Sequence, residues 1–177
     1  REFNYDLNVP RYFQKHFEGV KLRDILDDFR GQKSLLSKGG KFIRIRDLKD
    51  DRVDFKLDLS EVGKMELSSR SLRQIDETCL LLASCWVKLK PTLFDYSETP
   101  ILLNSDILSF KVNEKLADTA YLISELHADY IQDQLESYRL SGTIPRIRKK
   151  DLLEVVIKLP SLEEQRAKVE GVLEISD

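Results

Sequence analysis

The sequence predicts an α+β fold, with a β-rich body, a helical pair and a helix at the C-terminal end. Three observations carry that expectation. Between residues 42 and 112, apolar side chains recur at every second position in short runs broken by proline, asparagine and acidic turns, as half-buried strands require. From Asp118 the period lengthens. Ala120, Ile123, Leu126 and Tyr130, then Ile131, Leu135 and Tyr138, recur at helical spacing to about Leu140. Beyond Pro160 it is helical again, with Leu162, Val169, Val172 and Leu173 on one stripe.

The elements follow in order. Residues 1–19 read as an extended connector, since proline at Pro10 pushes the residue before it away from helix. Val20, Leu22, Ile25, Leu26 and Phe29 predict a short helix that Gly31 stops. Phe42–Arg46 and Val53–Leu59 alternate, and the polar stretch 47–52 between them predicts a hairpin. Cys79–Ser84 is a continuous apolar run, which predicts a strand buried on both faces. Trp86–Lys90 alternates, and Thr92–Tyr96, Ile101–Leu103 and Ile107–Val112 are further short strands. Residues 118–140 are one long helix or two end to end, with Gly142 as the stop signal. Val155, Ile157 and Leu159 predict a strand that Pro160 ends, and Ser161 with Glu164 forms a capping box for the last helix.

The 177 residues, 41% apolar and 34% charged, fit one domain with an appended helix. No apolar run approaches the roughly 20 residues that span a bilayer, so no membrane partner is expected. A start on Arg1 rather than Met, and a helical pattern still running at the end, are expected of a piece of something longer. The net charge of −2 conceals a gradient. Residues 11–56 carry thirteen Lys/Arg against eight Asp/Glu, and residues 151–177 three against seven. Such a chain either presents ordinary solvated faces or turns a cationic face to phosphates. Cys79 and Cys85 lack disulfide-scaffold or metal spacing, which points to reduced thiols and a cytoplasmic location.

Nothing in the sequence supports catalysis. His16 and His127 have no obvious triad partners, and no P-loop, zinc spacing or calcium loop is present. Asp54-Phe55-Lys56 is the nearest fragment to a nuclease site, but it lacks a second carboxylate at suitable spacing.

A resemblance gives this pattern a context. The order of a basic turn (Arg146, Arg148, Lys149, Lys150), Lys150-Asp151-Leu152-Leu153, a strand, Leu159-Pro160-Ser161-Leu162-Glu163-Glu164-Gln165 and a helix resembles the end of a target recognition domain in type I restriction–modification specificity subunits. Val20-Lys21-Leu22-Arg23-Asp24-Ile25-Leu26 resembles the start of such domains, and Tyr121–His127 with the later Gly142-Thr143 turn resembles their helical part. Residues 58–78 match nothing nameable. The stretch Asn4–Tyr12 is similar to the linker after the catalytic domain of N6-adenine DNA methylases, or is a plain N-terminal arm.

The resemblance implies a non-catalytic module over residues 20–160 that reads one half of a bipartite double-stranded DNA target for an N6-adenine methylase or restriction complex. Residues 161–177 would begin a spacer helix. Partners would be a methylase subunit or fused methylase domain, with a second recognition domain or a homodimer completing the target. The motif (Asn/Asp)-Pro-Pro-(Tyr/Phe) and a glycine-rich cofactor loop are missing, so S-adenosylmethionine is expected on the methylase and no cofactor here.

DNA reading needs cations for phosphates and donors for base edges. The candidates are Arg44, Arg46, Lys49 and Arg52 on the first hairpin, Ser69, Arg70 and Arg73 in the irregular stretch, Lys88 and Lys90 beside Trp86, and Arg146, Arg148 and Lys149 in the basic turn. Trp86 either stacks on DNA or packs in the core. Leu162, Val169 and Leu173 are the candidate partner interface. The competing reading is a protein–protein interaction module without DNA contact, which would scatter these cations.

Overall fold

A computed structural model describes residues 18–33, 40–65, 72–85, 87–139 and 145–175. Eleven short strands and four helices follow one another along these residues. The first strands are β1 (Val20–Lys21), β2 (Leu26–Asp28), β3 (Gln32–Lys33), β4 (Gly40–Phe42), β5 (Lys64–Met65) and β6 (Arg73–Ile75). Then come β7 (Cys79–Ala83), β8 (Thr92–Phe94), β9 (Ile101–Leu103) and β10 (Ile107–Val112). Helices α1 (Thr119–Leu126), α2 (Asp129–Tyr138) and α3 (Lys149–Leu152) precede β11 (Val156–Ile157) and α4 (Leu162–Ile175). They form a mixed α+β fold with three small sheets, a helical pair and a C-terminal helix.

The strand β7 sits in the middle, and all five of its residues are buried. It belongs to a four-stranded sheet of order β2-β10-β7-β8. On one face Leu80 and Leu82 join Leu26, Phe110 and the helical residues Leu122, Ile123, Leu126, Ile131 and Leu135. On the other, Cys79, Leu81 and Ala83 join Ile43, Ile75, Ile101 and Leu103 from the five-stranded sheet β3-β6-β9-β4-β5 and its surroundings. The molecule is therefore layered as sheet, sheet and helices, with the continuous apolar run in the central layer. A third sheet, β1 with β11, pairs Val20 with Ile157 and so joins the two ends of the described chain. That pairing needs glycine at position 19, where a Cβ would stand 2.2 Å from the Ile157 carbonyl oxygen.

Several elements differ from the sequence expectation. The apolar spacing of residues 20–29 forms β1, a 3₁₀ turn over Leu22–Asp24 and β2 rather than a helix. Leu22, Ile25 and Leu26 are all buried in one cluster, so the spacing reported a shared core without fixing the backbone. Gly31, expected as a helix stop, has φ of 64° and turns the chain from β2 to β3. The expected hairpin does not form. Strand β4 ends at Phe42 and runs parallel to β9, while Lys56 bridges Leu93 beside β8. Period-two alternation marks two faces but does not choose a partner.

The helical stretch divides in two. Asp118 caps α1, its carboxylate accepting from the Tyr121 N–H at 3.0 Å, and Ala128 is extended (φ −69°, ψ 149°) before α2 begins. The capping box at Ser161 forms as expected. The Ser161 N–H donates to Glu164 Oε2 at 3.0 Å, and the Glu164 N–H donates back to Ser161 Oγ at 3.3 Å.

Candidate nucleic-acid interface

Strand register decides where the candidate cations gather. Ala83 lies opposite Ile107, Thr92 opposite Leu81, and Asp28 opposite Phe110. Residues 29–31, 84–91 and 104–106 therefore all leave the central sheet at the same end. The basic turn joins them there, because the Ile147 N–H donates to the Ser84 carbonyl at 2.9 Å. The 44–52 segment comes alongside from the five-stranded sheet, with Lys90 Nζ on the Ile45 carbonyl at 3.0 Å and the Lys49 N–H on Thr92 Oγ1 at 2.8 Å.

The individual side chains divide by how they are held. The Arg44 guanidinium lies 5.8 Å from the Phe42 ring centre, and Arg46 is exposed, 3.8 Å from Asp47. Lys49 pairs with Asp54 at 2.9 Å, Lys88 with Asp50 at 2.7 Å, and Arg52 donates to the His127 carbonyl at 3.3 Å. Arg146 pairs with Asp106 at 3.0 Å, Arg148 with Asp151 at 2.7 Å, and Lys149 with Asp28 at 2.6 Å. Exposed pairs of this kind are worth only about 0–1 kcal/mol each, so phosphate can replace the carboxylate at little cost. What the pairs supply is orientation.

Lys90 has φ of 47°, a left-handed backbone that a residue with a Cβ rarely adopts. It closes a tight loop in which the Ala83 N–H donates to the Leu89 carbonyl at 2.7 Å. Val87 on that loop is 54% exposed, while Leu89 is buried and holds the loop down. Residues 87–90 of the expected strand over 86–90 thus form a turn, from which Lys88 projects while Lys90 folds back onto the Ile45 carbonyl.

Arg73 behaves differently. Its guanidinium is half-buried between the two larger sheets and donates to four oxygens. These are the Ile107 carbonyl at 2.6 Å, Ser109 Oγ at 3.1 Å, the Arg30 carbonyl at 3.3 Å and the Asn104 carbonyl at 3.4 Å. Ser109 Oγ in turn donates to the Phe29 carbonyl. Burial lowers the Arg73 pKa, with the Asp28 charge opposing. Arg73 clamps the two turns that flank β10 and leaves little of its fork for DNA.

Arg30 was not among the sequence candidates. It is exposed and donates from Nε to Asp28 Oδ2 at 2.9 Å, sharing that carboxylate with Lys149. Burial alone would raise the Asp28 pKa, but hydrogen bonds from Lys149 and Arg30 outweigh it and hold the group below its ordinary value. Its position before Gly31 was the available signal, obscured by reading 20–29 as a helix. Ser69, Arg70 and Trp86 lie outside the described residues. Of the candidate partner interface, Leu162 and Val169 are half-buried and Leu173 is exposed.

The same end of the molecule holds a histidine. His127 Nδ1 is 3.7 Å from Asp50 Oδ1, and Nε2 is buried without a hydrogen-bond partner among the described residues. Burial lowers its pKa, opposed by the Asp50 charge and reinforced by Arg52 and Lys88. The unfolded chain therefore takes up a proton near pH 6.5 before the folded one does. Stability is expected to fall as pH drops from about 6.5 towards the lower folded pKa, with a slope of at most about 1.4 kcal/mol per pH unit. Urea denaturation between pH 7.5 and 5 should show this component, and His127→Gln should remove it.

Among the described residues no group of His, Cys, Asp and Glu is arranged to hold a metal ion. Burial pushes the Cys79 thiol up to about 12, the behaviour of an unreactive core residue. No helix among the described residues is long and apolar enough to cross a membrane.

The chain is thus a mixed α+β fold with a helical extension and a group of lysine and arginine side chains at one end of its central sheet. Comparison with known proteins places it more closely: residues 92–175 match the family model of the type I restriction modification DNA specificity domain. The fold is similar to that of the HsdS subunit from Thermoanaerobacter tengcongensis, with a TM-score of 0.68 at 19% identity over 89% of this chain and 41% of that one. A second solved structure, from work on complex assembly and conformational transition of the type I R-M system, gives 0.62 at 19% identity, covering 93% of this chain and 40% of the other. The chain thus spans about two-fifths of the length of these solved chains. No curated protein matches it.

Proposed function

We propose that this chain reads one half of a bipartite duplex DNA target for an N6-adenine methylase or restriction complex, without catalysing a reaction itself. The observation that carries the reading is the gathering of residues 29–31, 44–52, 84–91 and 145–149 around one end of the central sheet. Arg30, Arg46, Lys88, Lys90, Arg146 and Lys149 supply the phosphate-facing charge. Arg44, Lys49, Arg52 and Arg148 flank them, and Ser69 and Arg70 belong to the same proposed set. Arg73 acts from behind by fixing the turns. S-adenosylmethionine would be held by the methylase, whether separate or fused upstream, and a second recognition domain or second copy would read the other half. Residues 20–160 would form the reading module and residues 161–177 the start of the spacer, with Leu162, Val169 and Leu173 turned to a partner. The complex would act in the cytoplasm.

Selection from a randomised duplex pool, using the full protein with its methylase partner, tests this reading. The selected duplex should lose affinity steeply as salt rises, with a log–log slope of about −0.9 per phosphate contact and so roughly −4 to −6 for the six leading cations. Selection of no sequence, with a slope near zero, would favour a protein–protein module instead.

A further inference from the structure

We propose that Gln165 is the joint that sets the direction in which α4 leaves the recognition module, and that through α4 it selects the distance between half-sites. The proposal rests on the reading of the chain as one half of a bipartite reader.

Gln165 is the only buried residue of α4, at 0% exposure, and one of four buried polar or charged residues among those described. Its side-chain amide is fully used. Oε1 accepts from the Asp118 N–H at 2.8 Å, and Nε2 donates to the Leu116 carbonyl at 3.0 Å and the Pro160 carbonyl at 2.8 Å. One primary amide thus ties three main-chain groups together, two of them in the turn that leads into α1 and one in the turn that leads into α4. Asp118 is also the residue whose carboxylate caps α1. The amide therefore fixes the first turn of α4 against the first turn of α1.

A buried apolar contact tolerates sliding, whereas an amide bonded on both its donor and acceptor sides allows one orientation. A neighbouring contact between α4 and α1 is more pliable: the Lys168 ammonium lies 5.7 Å from the Tyr121 ring centre. Towards its end α4 becomes more open to solvent, with Leu173 46% and Ile175 89% exposed. The helix is a lever of fourteen residues. At about 1.5 Å per residue the arm from Gln165 to Ile175 is roughly 15 Å long, so a tilt of about 13° at the joint moves its far end by roughly 3.4 Å, close to the rise of about 3.4 Å per base pair. An error of one hydrogen bond at Gln165 is thereby converted into an error of about one base pair in spacing.

Gln165→Leu keeps the volume and removes the bonds. In the full protein with its methylase partner, the wild type should bind duplexes carrying the selected half-sites at their native spacing at least tenfold more tightly than duplexes one base pair shorter or longer. Gln165→Leu should bring the three within about threefold while leaving single half-site binding within twofold. Spin labels on cysteines introduced at Lys56 and Glu174, with Cys85→Ser, should show a broader distance distribution in the variant than in the parent. Retention of the spacing preference and of a narrow distribution would overturn the proposal. So would loss of folding by circular dichroism, because Gln165 would then serve core stability rather than direction. If the wild type bound no half-site at all, the reading as a bipartite DNA reader would fail, and the label distances alone would decide the joint.

Discussion

Glutamate at Arg46, Lys88 and Arg146 together should lower the affinity for a selected duplex by at least a thousandfold at moderate salt. The three come from the 44–52 segment, the 84–91 loop and the basic turn, which are distant in sequence and brought to one end of the central sheet by strand register. Each substitution removes one cation from the phosphate surface and adds one anion. The log–log salt slope should become shallower by about 2.7, at about 0.9 per lost contact. The partners left behind, Asp47, Asp50 and Asp106, belong to pairs open to solvent. The cost to folding should therefore be modest, on the order of 1 kcal/mol in total. Fluorescence anisotropy over a salt series separates the effects, and a loss below tenfold with an unchanged slope would remove this surface from the interface.

Arg73→Met should destabilise the fold by about 2–4 kcal/mol, a large share of a typical domain's stability. Methionine reaches similarly far but donates nothing. The Ile107 and Asn104 carbonyls and Ser109 Oγ would each lose a donor in half-buried surroundings, where an unpaired acceptor costs about 1–3 kcal/mol at most before relaxation, while the Arg30 carbonyl is open to water. Arg73→Lys should recover part of the loss, since one ammonium can reach at most some of the four oxygens. Urea denaturation measures both variants. A change below about 0.5 kcal/mol for Arg73→Met would show that water serves these oxygens equally well, and Arg73 would return to the list of residues free to face DNA.

The contrast between these two experiments shows where sequence reading stops. The run Cys79–Ala83 could be recognised as a two-faced central strand because burial on both sides leaves no polar position. The helical pair and the capped last helix were legible from local signals, period and cap chemistry, that need no distant partner. Which strand pairs with which was not. Phe42 alternates with its neighbours whether its partner is a hairpin mate or the distant Leu102, and the chain chose the latter. The same blindness affected the site. Arg73 and Arg146 look alike in the sequence, yet one lies between sheets on four oxygens and the other stands at the surface beside Asp106. Gln165 was read as part of a motif, and only its burial against Asp118 and Leu116 reveals what an amide there can do.

The most direct test of the central claim is differential acetylation of lysines with and without the selected duplex. Lys88, Lys90 and Lys149 lie at the end of the central sheet where the candidate turns converge, whereas Lys56 and Lys111 lie with Asp95 and Glu77 towards the opposite end. Bound DNA should protect the first three by at least fivefold and leave the other two unchanged. Equal protection of both sets, or protection of Lys56 and Lys111 alone, would contradict the assignment of this end of the molecule as the DNA-reading surface.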